Sequence, residues 1–191
     1  ISTIKFLFHS TRLVPHYLAF RLLINRQNPE AMKFIEDIAP FQKEGGFFRI
    51  LFNRKEYITV LYNRLGIIGS ALALLGPKKY PFFMLPSKDL GGGIYIDHPY
   101  YTFLHARKIG KNFKTKHNVT IGNNKGGIPV IGDNVFIAVG AVVVGDIKIG
   151  NNVFIGANTV VSHSVPDNCV VIGNPAKIVK QNGKHVDIPL R

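Results

Sequence analysis

An aspartate followed directly by a histidine, Asp97-His98, with further histidines at His105 and His117, is the group of side chains in this 191-residue chain best suited to proton transfer. An imidazole has an ordinary pKa near neutrality, so it can take a proton from a hydroxyl at neutral pH, and a neighbouring carboxylate can orient it or stabilise its charged form. Alone, the dipeptide is a weak signal, because a hydrogen-bonded structural histidine looks the same in a sequence. Its weight depends on what holds it, and on whether His117, nineteen residues after His98, returns to the same place. The single cysteine, Cys169, lies in "PDNCVVIG", a turn leading into a last strand, with no activating partner beside it. It reads as a buried structural thiol, it excludes an internal disulfide, and it fits a reducing, cytoplasmic location.

The element that would hold these residues has a period of six. Ile131, Ile137, Val143, Ile149, Ile155 and Val161 keep one register, and Ile109, Thr115 and Ile121 keep it before them. A second apolar or small position follows four residues on, from Phe113 and Val119 to Thr159 and Val165. A helix would repeat every three to four residues and a strand every two, so neither explains the pattern. A parallel β-helix does: each hexapeptide makes a short strand and a corner, and three close a triangular turn. Gly110, Gly132 and Gly150 after the inward residues, and Asn112, Asn134 and Asn152 where the chain must bend, are corner residues. Between Ile121 and Ile131 the step is ten, so about four residues around "NKGGIP" must leave the coil as a loop, and such loops tend to border functional sites.

Twenty-four Lys and Arg against eleven Asp and Glu give a formal charge of +13. The excess is spread over both halves, with no basic run beyond pairs such as Lys78-Lys79 and no interleaved aromatic platform, which argues against nucleic acid. A phosphorylated cofactor, an anionic acceptor or peripheral contact with an anionic membrane each suits such a field. Residues 1–80 read as an α-helical region. Asn28-Pro29-Glu30 is a helix start, and a further helix is expected from about Asn53 to Leu75, stopped by Gly76-Pro77. The apolar stretch from Leu65 to Gly76 is too short to span a bilayer and reads as a buried helix. Residues 81–191 form the second domain, with the coil proper expected from about Ile94 to Ile172.

"IDHPYYTFLHARKIGKNFKTKHNVTIGNNKGGIPVIGDNV", the six-residue register and the ending "VIGNPAKIVK" together resemble the hexapeptide-repeat acyltransferases. Within them they are similar to the serine O-acetyltransferase branch and its sugar-modifying relatives of capsule and exopolysaccharide biosynthesis. The resemblance spans about Pro86 to Lys180. It implies a left-handed coil, an exception to the right-handed rule for parallel crossovers, assembled as a homotrimer with acetyl-CoA in a groove between subunits. It makes His98 the general base, Asp97 its orienting carboxylate and His117 a polar contact to acceptor or thioester, with His105 either in the cleft or structural. Ala138, Gly140 and Ala157 would let the pantetheine arm lie against the coil, and Asn123 at the loop's start would contact the cofactor. Gly126 and Gly127 would offer backbone N–H groups to the oxyanion, and Lys177 would meet cofactor phosphate. His9, His16, His163 and His185 read as surface or helix residues.

Two departures bear on the acceptor. Serine-specific enzymes carry Arg-His in the loop before its proline, where this chain has Gly127 and Ile128. Their second acidic residue falls at Phe83 by ungapped counting. Loss of a cationic partner for the serine carboxylate favours a sugar hydroxyl as acceptor, with serine O-acetylation as the alternative. Two other classes fit the residues less well. A metal hydratase on the same coil would use three histidines, but the spacings of seven and twelve between His98, His105 and His117 do not match that ligand pattern. A scaffold without catalysis would not need the loop.

Overall fold

The computed structural model describes residues 2–124 and 126–191, with the side chains at positions 2, 4, 9 and 75 left out, and the chain divides into two units, 1–81 and 82–191.

In the first unit, α1 (Ser2–Asn25), α2 (Pro29–Ile38), α3 (Phe47–Asn53) and α4 (Glu56–Leu75) surround a core that includes Leu13, Phe20, Phe34, Leu51 and Leu61. The Asn28 side chain accepts the N–H groups of Glu30 and Ala31 at 3.0 and 3.1 Å, capping α2 as its sequence requires. The helix expected from Asn53 begins at Glu56, because α3 is a separate helix. At Gly66 (φ 56°, ψ −121°) α4 kinks. Its first half is buried, but Ile67 is 90% exposed and Leu74 is exposed, so the expected buried helix holds only up to the kink. The span Glu56–Leu74 is long and apolar enough to cross a membrane by length and composition, and half of it is buried in the protein, as in a core helix. Arg64, fully buried, donates Nε and a terminal nitrogen to the two oxygens of buried Asp37 (3.0 and 3.1 Å) and its other nitrogen to Glu30 (3.1 Å).

His16, expected as a surface or helix residue, lies in α1 and is buried in this unit, 3.0 Å from the Tyr62 hydroxyl, which donates to the Pro77 carbonyl. Burial holds its pKa below the ordinary histidine value and pushes the Tyr62 phenol up to about 12. The unfolded chain therefore binds a proton that the folded one resists. For His16 the stabilisation is full above about pH 6.5 and falls as the pH drops below it, while the raised Tyr62 phenol costs stability only above about pH 10. Denaturant midpoints should decline from about pH 7.5 to about 5.5, and a His16→Gln variant should flatten that decline.

The second unit is a β-helix of about five turns. Its first face stacks β1 (Phe83–Met84), β3 (Thr102–Leu104), β6 (Thr120–Gly122), β9 (Val142–Val144) and β12 (Val160–Val161). The second stacks β4 (Lys108–Ile109), β7 (Val130–Ile131) and β10 (Lys148–Ile149), extended by single bridges at Leu90 and Val165. The third stacks β2 (Tyr95–Ile96), β5 (Lys114–Thr115), β8 (Phe136–Ile137), β11 (Phe154–Ile155) and β13 (Cys169–Ile172), then turns antiparallel through β14 (Lys177–Gln181) and β15 (Lys184–Pro189).

Every inward residue of the six-residue register, from Ile109 to Val161, is at most 1% exposed. The coil starts earlier than expected: Phe83 pairs with Thr102 and Leu90 with Ile109, so residues 83–95 are its first turn rather than a lead-in. One corner is an asparagine ladder. Asn112, Asn134, Asn152, Asn168 and Asn182 all have positive φ, and each side chain donates to the next at 2.9 to 3.2 Å. Asparagine is one of the few residues that tolerate this conformation, and its amide pairs neatly from turn to turn.

Candidate active site

Asp97 and His98 occupy the corner between the third and first faces, immediately after β2. Ile96 pairs with Thr115 on the next turn, so Asp97-His98 and Lys116-His117 are successive occupants of one corner. Parallel strands lie about 4.8 Å apart, and that is the spacing of the two turns along the axis. Nineteen residues therefore bring His117 back to the corner of His98, as the spacing requires. His98 is 70% exposed at its side chain and has φ 51°, an uncommon conformation for a residue other than glycine. Strained, exposed polar residues concentrate at functional sites. The strain arises because this corner is two residues longer than the next: Ile96 to Phe103 is seven positions, whereas the paired Thr115 to Thr120 is five. The extra length lets the chain turn tightly about Pro99, where the Tyr100 N–H donates to the His98 carbonyl at 2.7 Å.

The Asp97 carboxylate is shared. One oxygen accepts from Lys116 Nζ at 2.7 Å, and the other lies 3.4 Å from His98 Nε2. The hydrogen bond from Lys116 holds the lysine charged, raising its pKa. Lys116 was not singled out from the sequence, although its nineteen-residue spacing from Asp97 places it there as surely as His117. A carboxylate fixed by a cation and turned to one imidazole nitrogen leaves the other, Nδ1, as the nitrogen able to accept a proton.

The other candidate positions divide between corners. Ala138, Gly140 and Ala157 continue the histidine corner on later turns, since Thr115 pairs with Ile137 and Ile137 with Ile155. The Gly140 N–H donates to the His117 carbonyl at 3.3 Å, and a Cβ on Gly140 would strike the Asn158 side chain. The inserted loop, of the kind that tends to border functional sites, leaves from the next corner, between β6 and β7, so within one chain it does not adjoin Asp97-His98. Its glycines are engaged: Gly126 N–H donates to the Asn123 side chain at 3.2 Å and Gly127 N–H to the Asn124 carbonyl at 3.3 Å. Both N–H groups, expected to face an oxyanion, are engaged here within the loop's own turn, as is the Asn123 oxygen. His105 follows β3 beside the start of the loop, its ring edge-on to Phe103 at 5.8 Å. Lys177 is paired at 2.9 Å with exposed Asp187. Phe83, at the position of the serine-specific enzymes' second carboxylate by ungapped counting, is a core residue, 3% exposed.

Cys169 is buried on β13, and burial pushes its thiol pKa up, which makes it a poor nucleophile. His163 lies beside Ser162 at 3.2 Å on an exposed corner, and His185 is exposed on β15. Among the described residues, no three His, Cys, Asp or Glu side chains converge as a metal site.

Residues 128–163 match the family model described as bacterial transferase hexapeptide, six repeats. A serine acetyltransferase of Staphylococcus epidermidis is 33% identical over 169 residues, which cover 86% of this chain and 78% of that protein. Among solved structures, serine acetyltransferase from Brucella abortus strain S19 superposes with a TM-score of 0.65 at 26% identity, over 83% of this chain and 72% of that one. Soybean serine acetyltransferase complexed with serine gives the same TM-score and identity over 84% and 74%. The parallel β-helix expected from the repeat, with the left hand that the family resemblance implied and helices before it, is the fold found.

Proposed function

The chain belongs to the serine acetyltransferase family of hexapeptide-repeat transferases, and from that membership we propose that His98 is the general base that drives acetyl transfer from acetyl-CoA to an acceptor hydroxyl. The observation that carries this is the strained, exposed His98 turned to a carboxylate that Lys116 holds in place.

With Nε2 turned to Asp97, Nδ1 takes the hydroxyl proton as the acceptor oxygen attacks the thioester carbonyl. The tetrahedral intermediate collapses, the carbon–sulfur bond breaks, and the imidazolium returns its proton to the departing thiolate of CoA. Transfer is direct, in a ternary complex, because the one thiol is buried and no serine follows His98 at the corner. His117 contacts the acceptor or the thioester oxygen from the next turn. The small residues Ala138, Gly140 and Ala157 leave room along the same corner for the pantetheine arm, and Lys177 would exchange Asp187 for a cofactor phosphate. A homotrimer suits this arrangement, since the loop leaves one subunit at a corner away from that subunit's own His98 and can close on a neighbour's.

Serine is the acceptor that the names of the relatives favour. A saccharide hydroxyl is the second reading, favoured by Gly127 and Ile128 where a carboxylate-binding Arg-His would stand. Thiol release from acetyl-CoA, measured with serine and with a panel of saccharides, separates the two. Release with neither acceptor would refute the acetyl transfer itself.

A further inference from the structure

The corner that carries His98 has a backbone position with positive φ on every turn: Phe82, Tyr101, Asn118, Gly140 and Asn158, at φ between 53° and 72°. The strand pairings place them in one column. Glycine adopts this conformation freely and asparagine tolerates it, so the upper three turns are ordinary. A phenylalanine and a tyrosine there are outliers, because a bulky Cβ substituent crowds the backbone. The scaffold does not require aromatics at this column, as three of its five positions show. The two rings stack on each other, centroids 4.9 Å apart and planes at 28°, yet remain 60% and 68% exposed. Tyr101 stands three residues after His98, on the segment that makes this corner two residues longer than the next. Exposed Tyr100 lies between them.

Apolar residues kept in strained conformations and in solvent need a reason, and the proximity to His98 supplies one. An aromatic face is electron-rich, and the complementary acceptor is a ring whose flat side presents polarised C–H groups and whose rim presents hydroxyls. A pyranose has that shape. A free amino acid, whose recognition rests on its charges, gains little from two aromatic rings, and Lys116, the cation seen at this corner, is held by Asp97.

We propose that the stacked Phe82–Tyr101 pair is an acceptor subsite that takes the apolar face of a sugar ring and presents one of its hydroxyls to His98. The proposal rests on the reading of His98 as base and chooses the saccharide among the two acceptors.

The test uses the full chain with acetyl-CoA and three acceptor sets: serine, hexoses and N-acetylhexosamines, and short oligosaccharides. Tyr101→Asn and Phe82→Asn install the residue that the same column carries at positions 118 and 158, so both variants should fold. Saccharide-dependent thiol release is expected in the parent, with KM raised about tenfold in Tyr101→Asn and kcat little changed, since the platform binds and does not react. Tyr101→Phe, which keeps the stack, should retain most of the affinity, and CoA binding by calorimetry should be unchanged throughout. An unaltered saccharide KM in both Asn variants overturns the subsite. So does a lower assembly mass by light scattering in those variants, which would make the pair a subunit contact. Release with serine alone that depends on His98 also overturns it while leaving the acetyl transfer standing, whereas no release with any acceptor removes both.

Discussion

Replacing His98 with alanine is expected to lower kcat for acetyl transfer by about 10²- to 10⁴-fold, the range for loss of a positioned general base, while CoA binding and the unfolding midpoint stay near those of the parent. The structure explains the separation. The His98 side chain is mostly in solvent, and an alanine at φ 51° carries the same Cβ against the backbone as the histidine does, so the change removes the imidazole and leaves the coil's interior untouched. The pH profile sharpens the test. If the imidazole is the base, the acidic limb of kcat/KM reports its protonation and disappears in the residual activity of the variant. His117→Gln keeps a polar group at the corner and should cost less, with the acidic limb intact. A His98→Ala enzyme that retains parental kcat would move the base elsewhere, and His117 is then the residue on the same corner to examine.

The coil was legible because its physics is local and repeated. Each inward Ile or Val meets the same surroundings one turn above and below, so a β-branched residue returns every six positions. Where that repetition lapses, legibility lapses too. Residues 83–95 form a full turn, but Leu85 to Leu90 is five positions rather than six, no earlier member extends the register, and the surrounding prolines and glycines look like a linker. The kink at Gly66 was hidden because a glycine in an apolar run fits a buried helix as well as a bent one.

The candidate site shows the same division. The shared corner of His98 and His117 follows from nineteen residues in a coil of that circumference, whereas the position of the loop one corner away depends on where its extra residues enter the turn. The engagement of Gly126 and Gly127 depends on the loop's own hydrogen bonds, which glycine content alone does not reveal. The aromatic pair has a signal in the sequence: Phe82, Tyr101 and Asn118 follow one another at nearly one turn's spacing, and a column that ends in asparagine and glycine marks its aromatic members as exceptions.

In the helical unit the largest effect is expected from Arg64→Met, a loss of about 3–5 kcal/mol in the stability of that unit, as found when one partner of a buried ion pair is removed. Arg64 and Asp37 are both fully buried at their side chains, and the guanidinium satisfies both carboxylate oxygens at once while reaching Glu30 with its remaining nitrogen. Methionine fills much of the volume but donates nothing, so Asp37 keeps the cost of its burial and loses both of these bonds. The expected signature is an early transition in denaturant that belongs to the helices, with the β-helix unfolding where it did before, because the two units have separate cores. The double change Arg64→Met with Asp37→Leu separates the two sources of the loss. If desolvation of the carboxylate is the cause, removing it should recover most of the stability, and if the double variant is no better than the single one, the guanidinium acts through its link to Glu30 instead.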